Sequence, residues 1–166
     1  MIGTVRMAPQ LSSRELVRSV RCRLLCVVTL CAGLTAGCSP SVFDLAVGDC
    51  FSFPQGTSLD TPNNLTSVTI RDCSEPHDAE VIGSYTIPGD DHAPYPDYST
   101  LYQQAQQSCE LQFNDYVGMP DTQSVLDMAP LLPTDDSWTR SGDRTALCIA
   151  FSRDEKVSSS FHQFGR

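Results

Sequence analysis

Beyond its first 37 residues this chain is short of cations. From Cys38 to Arg166 six basic residues stand against nineteen acids, a formal charge of −13 over 129 residues. That balance argues against nucleic acid as a partner, because a phosphate backbone is held by clustered Lys and Arg. The chain also lacks an apolar run long enough to cross a bilayer. Leu24 to Gly37 covers 14 residues, and a spanning helix needs roughly 20. No G-x-S-x-G elbow and no S-x-x-K occur, so nucleophilic catalysis of those kinds has no foothold. Glycine loops that cradle phosphate are missing as well. There is no C-x-x-C pair to begin a structural zinc site, and there is no internal repeat or low-complexity segment.

What the chain does have begins with a leader of opposite sign. Residues 1–37 carry five arginines and one acid, Glu15, for a formal charge of +4. Arginines through Arg23, an apolar run Leu24–Leu34 and then small residues make the three-part pattern of a secretory signal peptide. The junction Leu34-Thr35-Ala36-Gly37-Cys38 resembles the lipobox of bacterial lipoproteins, in which the cysteine thiol receives a diacylglycerol and becomes the first mature residue. Cys38 is accordingly expected to be the lipidation site, acylated with fatty acids of the palmitate class. Two or three such chains anchor stably where one is marginal. Residues 1–37 are expected as the signal peptide, 38–42 as a lipidated tether, and 43–166 as the domain, held at the extracytoplasmic face of the cell membrane.

Export changes how the eight cysteines count. Cys22, Cys26 and Cys31 leave with the leader and Cys38 carries lipid. Cys50, Cys73, Cys109 and Cys148 remain, an even number in an oxidising compartment, where thiols pair. Three connectivities are open. Cys50–Cys73 with Cys109–Cys148 is preferred, because the first two lie in or next to neighbouring extended segments and a helical cysteine can dock on a strand cysteine.

Along the body, periodicity predicts the elements. Val42–Phe53 begins the fold, with a Gly48-Asp49 turn, and residues 54–65 read as an exposed loop. Ser67–Cys73 alternates with period two, which puts Val68 and Ile70 inward. Ala79–Ile87 resumes as a strand with Val81, Tyr85 and Ile87 on one face and Gly83 at a bulge. From Asp97 the period becomes helical: Leu101, Ala105, Cys109, Phe113 and Tyr116 form a stripe, Asp97 or Ser99 caps the start, and Gly118 and Pro120 end it. Residues 120–137 read as loop with an extended piece at 126–132, Ser141–Arg144 as a turn, and Thr145–Phe151 as the best strand by β-branched and aromatic content. Lys156–Phe161 would then return as an edge strand.

His77 is the most chemically suggestive side chain, flanked by Glu75, Asp78 and Glu80. A neighbouring carboxylate could make it a proton acceptor or a pH switch. The structural reading is that its ring bonds backbone groups and pins a turn. Trp138 with Tyr95, Tyr98 and Tyr102 could form an aromatic patch for a peptide or glycan, or Trp138 could pack over a Cys109–Cys148 bridge. Gly142-Asp143-Arg144 reads as a turn with an internal ion pair. His77 and Trp138 are carried forward as partner-binding candidates. No metal site is expected, since His77, His92 and His162 have no paired spacing and Asp90-Asp91 lacks the pattern of a calcium loop. No catalytic residue and no cofactor are expected either.

The segments Val47-Gly48-Asp49-Cys50-Phe51 and Cys73 to Gly83, a helix bearing Cys109, Pro133 ahead of Trp138, and Gly142-Asp143-Arg144 with Cys148 occur in that order. Together they resemble the septum formation domain family of actinobacterial envelope proteins, over roughly residues 43–166. The resemblance implies a secreted, lipid-anchored or membrane-tethered protein associated with cell division, and it brings no reaction and no active site.

The fold expected is α+β: a small antiparallel sheet of four or five strands packed against one main helix, with two disulfides. The function expected is a non-enzymatic binding or accessory module of the envelope. It would be tied to the membrane through the anchor at Cys38 and would contact an envelope or division protein or a cell-wall component. A hydrolase or a pH- or metal-responsive protein using His77 and its carboxylates is the first alternative, and a purely structural envelope spacer is the second.

Overall fold

The computed structural model describes residues 41–58, 65, 67–90 and 92–165. Residues 1–37, the segment expected as a signal peptide, and Cys38 lie outside them.

A short 3-10 turn, Val42–Asp44, precedes five strands: β1 (Cys50–Ser52), β2 (Thr69–Arg71), β3 (Ala79–Thr86), β4 (Asp127–Leu131) and β5 (Thr145–Phe151). Helix α1 (Tyr98–Val117) and a second helix, α2 (Asp135–Ser141), complete the main elements. The sheet runs β2-β1-β3-β5-β4, and every neighbouring pair is antiparallel. The α+β architecture read from the sequence is thus the one observed.

Residue size on β5 explains where α1 sits. Ala146, Cys148 and Ala150 point to one face, and these small side chains let the helix approach, bringing Leu101, Ala105, Cys109, Phe113 and Val117 against the sheet. Leu147, Ile149 and Phe151 point to the other face. There they pack with Phe51, Val81, Leu131 and the N-terminal residues Val42 and Leu45. Asp97 caps α1, its carboxylate accepting from the N–H groups of Ser99 and Thr100 at 3.0 and 3.2 Å, and Gly118 ends it in the left-handed region at φ 87°.

Both preferred disulfides are present. Cys50–Cys73 joins β1 to the turn that follows β2 at a Cα separation of 5.3 Å, and Cys109–Cys148 ties α1 to β5 at 5.2 Å. They close loops of 23 and 39 residues, which in the chain-entropy account stabilises by roughly 3–4 kcal/mol each.

Four local expectations are corrected. Val81 faces away from α1 whereas Tyr85 and Ile87 face it, because the register against β5 shifts between Val81 and Gly83 and the extra residue inverts the pleat. Val68 is buried but Ile70 is 37% exposed, since β2 is a three-residue edge strand and all its residues are exposed. Lys156–Phe161 does not return as a strand: β4 occupies the edge beside β5, and the tail makes one isolated bridge, Val157 to His77. Within 120–137 and the expected turn after it lies helix α2, capped by Thr134 and Ser137 reciprocally and ended by Gly142 at φ 64°. Pro130 fits in β4 because an edge strand leaves one side of its backbone without a ladder partner.

No helix among the described residues is long and apolar enough to cross a membrane.

Candidate functional site

Three polar or concave features stand out, and the first grows from the turn before β3. His77 sits there with its backbone N–H and carbonyl both bonded to Val157 at 2.9 Å. Its Nδ1 donates to the carbonyl of Glu75 at 2.8 Å. A carbonyl only accepts, so Nδ1 carries a proton. Nε2 is buried and meets no hydrogen-bond partner among the described residues, and the ring lies 5.3 Å from that of Phe161. Of the carboxylates expected around His77, those of Asp78 and Glu80 are engaged elsewhere. Asp78 accepts from Lys156 Nζ at 2.6 Å and from the Phe53 N–H at 3.1 Å.

Glu80 is the deeply buried carboxylate, 1% exposed on the face of β3 that meets α1. One oxygen accepts from Tyr116 Oη at 2.6 Å and Ser160 Oγ at 2.8 Å, and the other from the Phe161 N–H. These are charge-assisted bonds, the strong kind, and a buried carboxylate requires them. Burial, then the bond to Glu80 and its negative charge, push the Tyr116 hydroxyl up to about 12. The same tail covers the last turn of α1. Gln163 N–H donates to Tyr116 O at 2.7 Å and Gly165 N–H to Val117 O at 3.1 Å, satisfying carbonyls that have no partner within the helix. The Cys50 and Cys73 sulfurs and the Glu80 carboxylate lie within 4.8 Å of one another. Because the sulfurs are bonded to each other they are not thiolates, and the donor set does not fit a metal ion.

The second feature is Trp138. It does not pack over the Cys109–Cys148 bridge. It lies at the start of α1 among Ile87, Leu101, Ala105, Leu132 and Ala146, whereas the bridge is surrounded by Ile82, Phe113, Leu126, Ala150 and Phe161. Trp138 is carried there by α2, its indole N–H donates to the Ala93 carbonyl at 2.7 Å, and the Arg144 guanidinium stacks 3.6 Å from the ring centre. Tyr95 meets the indole edge-on at 5.7 Å and donates to Pro133 O at 2.9 Å. Tyr98 and Tyr102 flank the helix start and stack on each other at 6.0 Å. His77 and Trp138, the two partner-binding candidates, are therefore interior side chains whose contacts are with this chain itself.

The third feature, which the sequence did not reveal, is a cavity of about 430 Å³ on the side of the sheet away from α1. Val42, Leu45, Leu131, Leu132, Pro133 and Leu147 supply its apolar lining. Hydroxyls of Thr134, Ser137, Ser141 and Thr145 and the carboxylates of Asp136 and Asp143 supply the polar part. Leu131 and Leu147 face each other across β4 and β5, and Val42 comes from the first described turn. No local pattern announces such a site, because its walls are separated by about a hundred residues of chain. Glu80 did carry a signal, an acid inside the apolar run Ala79–Ile82.

Taken together, the fold and these sites define a small α+β domain stapled by two disulfides, whose buried polar groups hold the chain's own turns and tail. The chain belongs to the septum formation family, whose model matches residues 47–163. Neither the curated proteins nor the solved structures contain a significant match to it.

Proposed function

We propose that this protein is a lipid-anchored module of the cell envelope that binds a division protein or cell-wall component during septum formation, without catalysing a reaction. Membership of the septum formation family supports the link to division. The envelope address rests on the Arg-rich leader and the Leu34–Cys38 junction, with Cys38 as the lipidated residue. The observation that carries the non-enzymatic reading is Glu80. It has the burial expected of a catalytic acid, yet its oxygens are engaged by Tyr116, Ser160 and the Phe161 N–H, three donors that close the tail over the sheet.

The experiment is crosslinking in intact cells with mass spectrometry, comparing the native protein with Cys38→Ala and following incorporation of a fatty-acid analogue. Saturable capture of one division protein or cell-wall component by the native protein, lost or displaced in Cys38→Ala, is the expected result. Recovery of abundant lipids and porins alone would favour the spacer reading. Labelling and membrane retention unchanged in Cys38→Ala would remove the anchor from the account.

A further inference from the structure

We propose that the cavity beside the N-terminal turn is a docking site for an acyl chain carried on Cys38 of the same molecule. The inference rests on the lipoprotein reading above.

The tether length makes the encounter intramolecular. Val42 lines the cavity and follows Cys38 by four residues, so a fully extended connection keeps the two within about 14 Å. A chain attached at that distance meets the cavity at the high effective concentration of a short linker, without a search through the bilayer.

The lining matches the chemistry of that occupant. Val42, Leu45, Leu131 and Leu147 present hydrocarbon to a methylene chain. Burying methylenes there has the same driving force as burying them among lipid tails, so exchange between cavity and bilayer is close to balanced. Next to that wall stand Ser137 and Asp143, within a body of charge −13. Their hydroxyl and carboxylate bond each other at 3.2 Å, and the negative charge repels the phosphate of a bilayer phospholipid while leaving an uncharged diacylglycerol unopposed. Charge therefore selects the protein's own lipid over its neighbours.

Docking has two consequences. The domain is held in a defined orientation on the membrane, with β4, β5 and α2 nearest the surface. Membrane attachment then depends on the remaining chains, so occupancy weakens the anchor, because a single acyl chain attaches only marginally.

The test uses the full chain in living cells fed a palmitate analogue that carries a diazirine near its methyl end. After irradiation, the purified protein is digested and its crosslinked peptides are mapped. We expect crosslinks from the chain on Cys38 to peptides containing Leu131 and Leu147. Thr145→Trp, which narrows the cavity, should reduce their yield several-fold while the label on Cys38 and the melting temperature are retained. Ser141→Trp, on α2, is the second variant should Thr145→Trp lower the melting temperature. Label on Cys38 without cavity crosslinks would overturn docking and leave the lipoprotein reading standing. Cavity crosslinks from labelled lipid not attached to Cys38 would overturn the choice of occupant. Absence of label on Cys38 would overturn both.

Discussion

Gln112, in the C-terminal half of α1, bonds Ser84 of β3 through both of its amide atoms: Oε1 accepts from the Ser84 N–H at 2.9 Å and Nε2 donates to the Ser84 carbonyl at 3.1 Å. The pairing reproduces a strand neighbour. Among the described residues β1 pairs with β3 only at Ala79 and Glu80 and no other strand lies beside that edge further on, so a side-chain amide stands in. Gly83 makes the approach feasible, since a Cβ at that position would lie 1.9 Å from Gln112 Oε1.

The first prediction follows from that geometry. Gln112→Ala removes both bonds to Ser84 and should destabilise by about 1–3 kcal/mol. Gly83→Ala should cost a similar amount by displacing the amide. In the Gln112→Ala background the same glycine change should cost clearly less, because the amide is gone and only the Cβ of position 112, at 3.2 Å, is left against it. Urea denaturation of the four proteins measures the coupling, and additive costs would refute the arrangement.

The second concerns alkaline pH. The Tyr116 hydroxyl is raised from 10.0 to about 12 in the folded state. Its protonated form is therefore favoured by folding, and the linked stability is complete below pH 10 and lost as the pH rises from 10 to 12. Melting temperature followed across that window should fall. Tyr116→Phe should be less stable at neutral pH and show a shallower alkaline decline.

The third tests the tail. Glu80→Gln preserves shape but presents an amide N–H among groups that all donate, and should destabilise by about 1–3 kcal/mol. Hydrogen exchange should accelerate selectively at Phe161, Gln163 and Gly165, whose N–H groups bond Glu80, Tyr116 and Val117. Uniform acceleration over the whole sheet would argue against a local latch.

The fourth separates the two disulfides. Cys109 and Cys148 are both fully buried between α1 and β5, whereas Cys73 is half-buried beside the edge strand β2. Under graded reductant, Cys50–Cys73 should open first. Alkylation with mass spectrometry reads the order, and earlier modification of Cys109 would contradict it.

Legibility in the sequence followed the range of the forces involved. Helix α1 was readable to within a residue or so because its stripe, its Asp97 cap and its Gly118 stop are local. The disulfide pairs were readable because their partners lie in or beside elements that periodicity identifies. Helix α2 was hidden, since Asp135-Asp136-Ser137 reads as polar loop and the one deeply buried side chain in its seven residues is Trp138. The role of the last fifteen residues was also hidden. Val157 and Phe161 suit a strand, but the place beside β5 is filled by β4, and the tail binds His77, Glu80 and the end of α1 instead.

By itself the sequence determined the charge asymmetry at Cys38, the even set of four body cysteines, the main helix and the α+β class, all properties of composition, spacing or local periodicity. Only the tertiary structure decided that His77 and Trp138 face inward, that Gln112 completes the edge of β3, and that Val42, Leu131 and Leu147 share one cavity. Those are consequences of packing between segments far apart in the chain, where the outcome depends on which element reaches a face or an edge first and what remains exposed beside it.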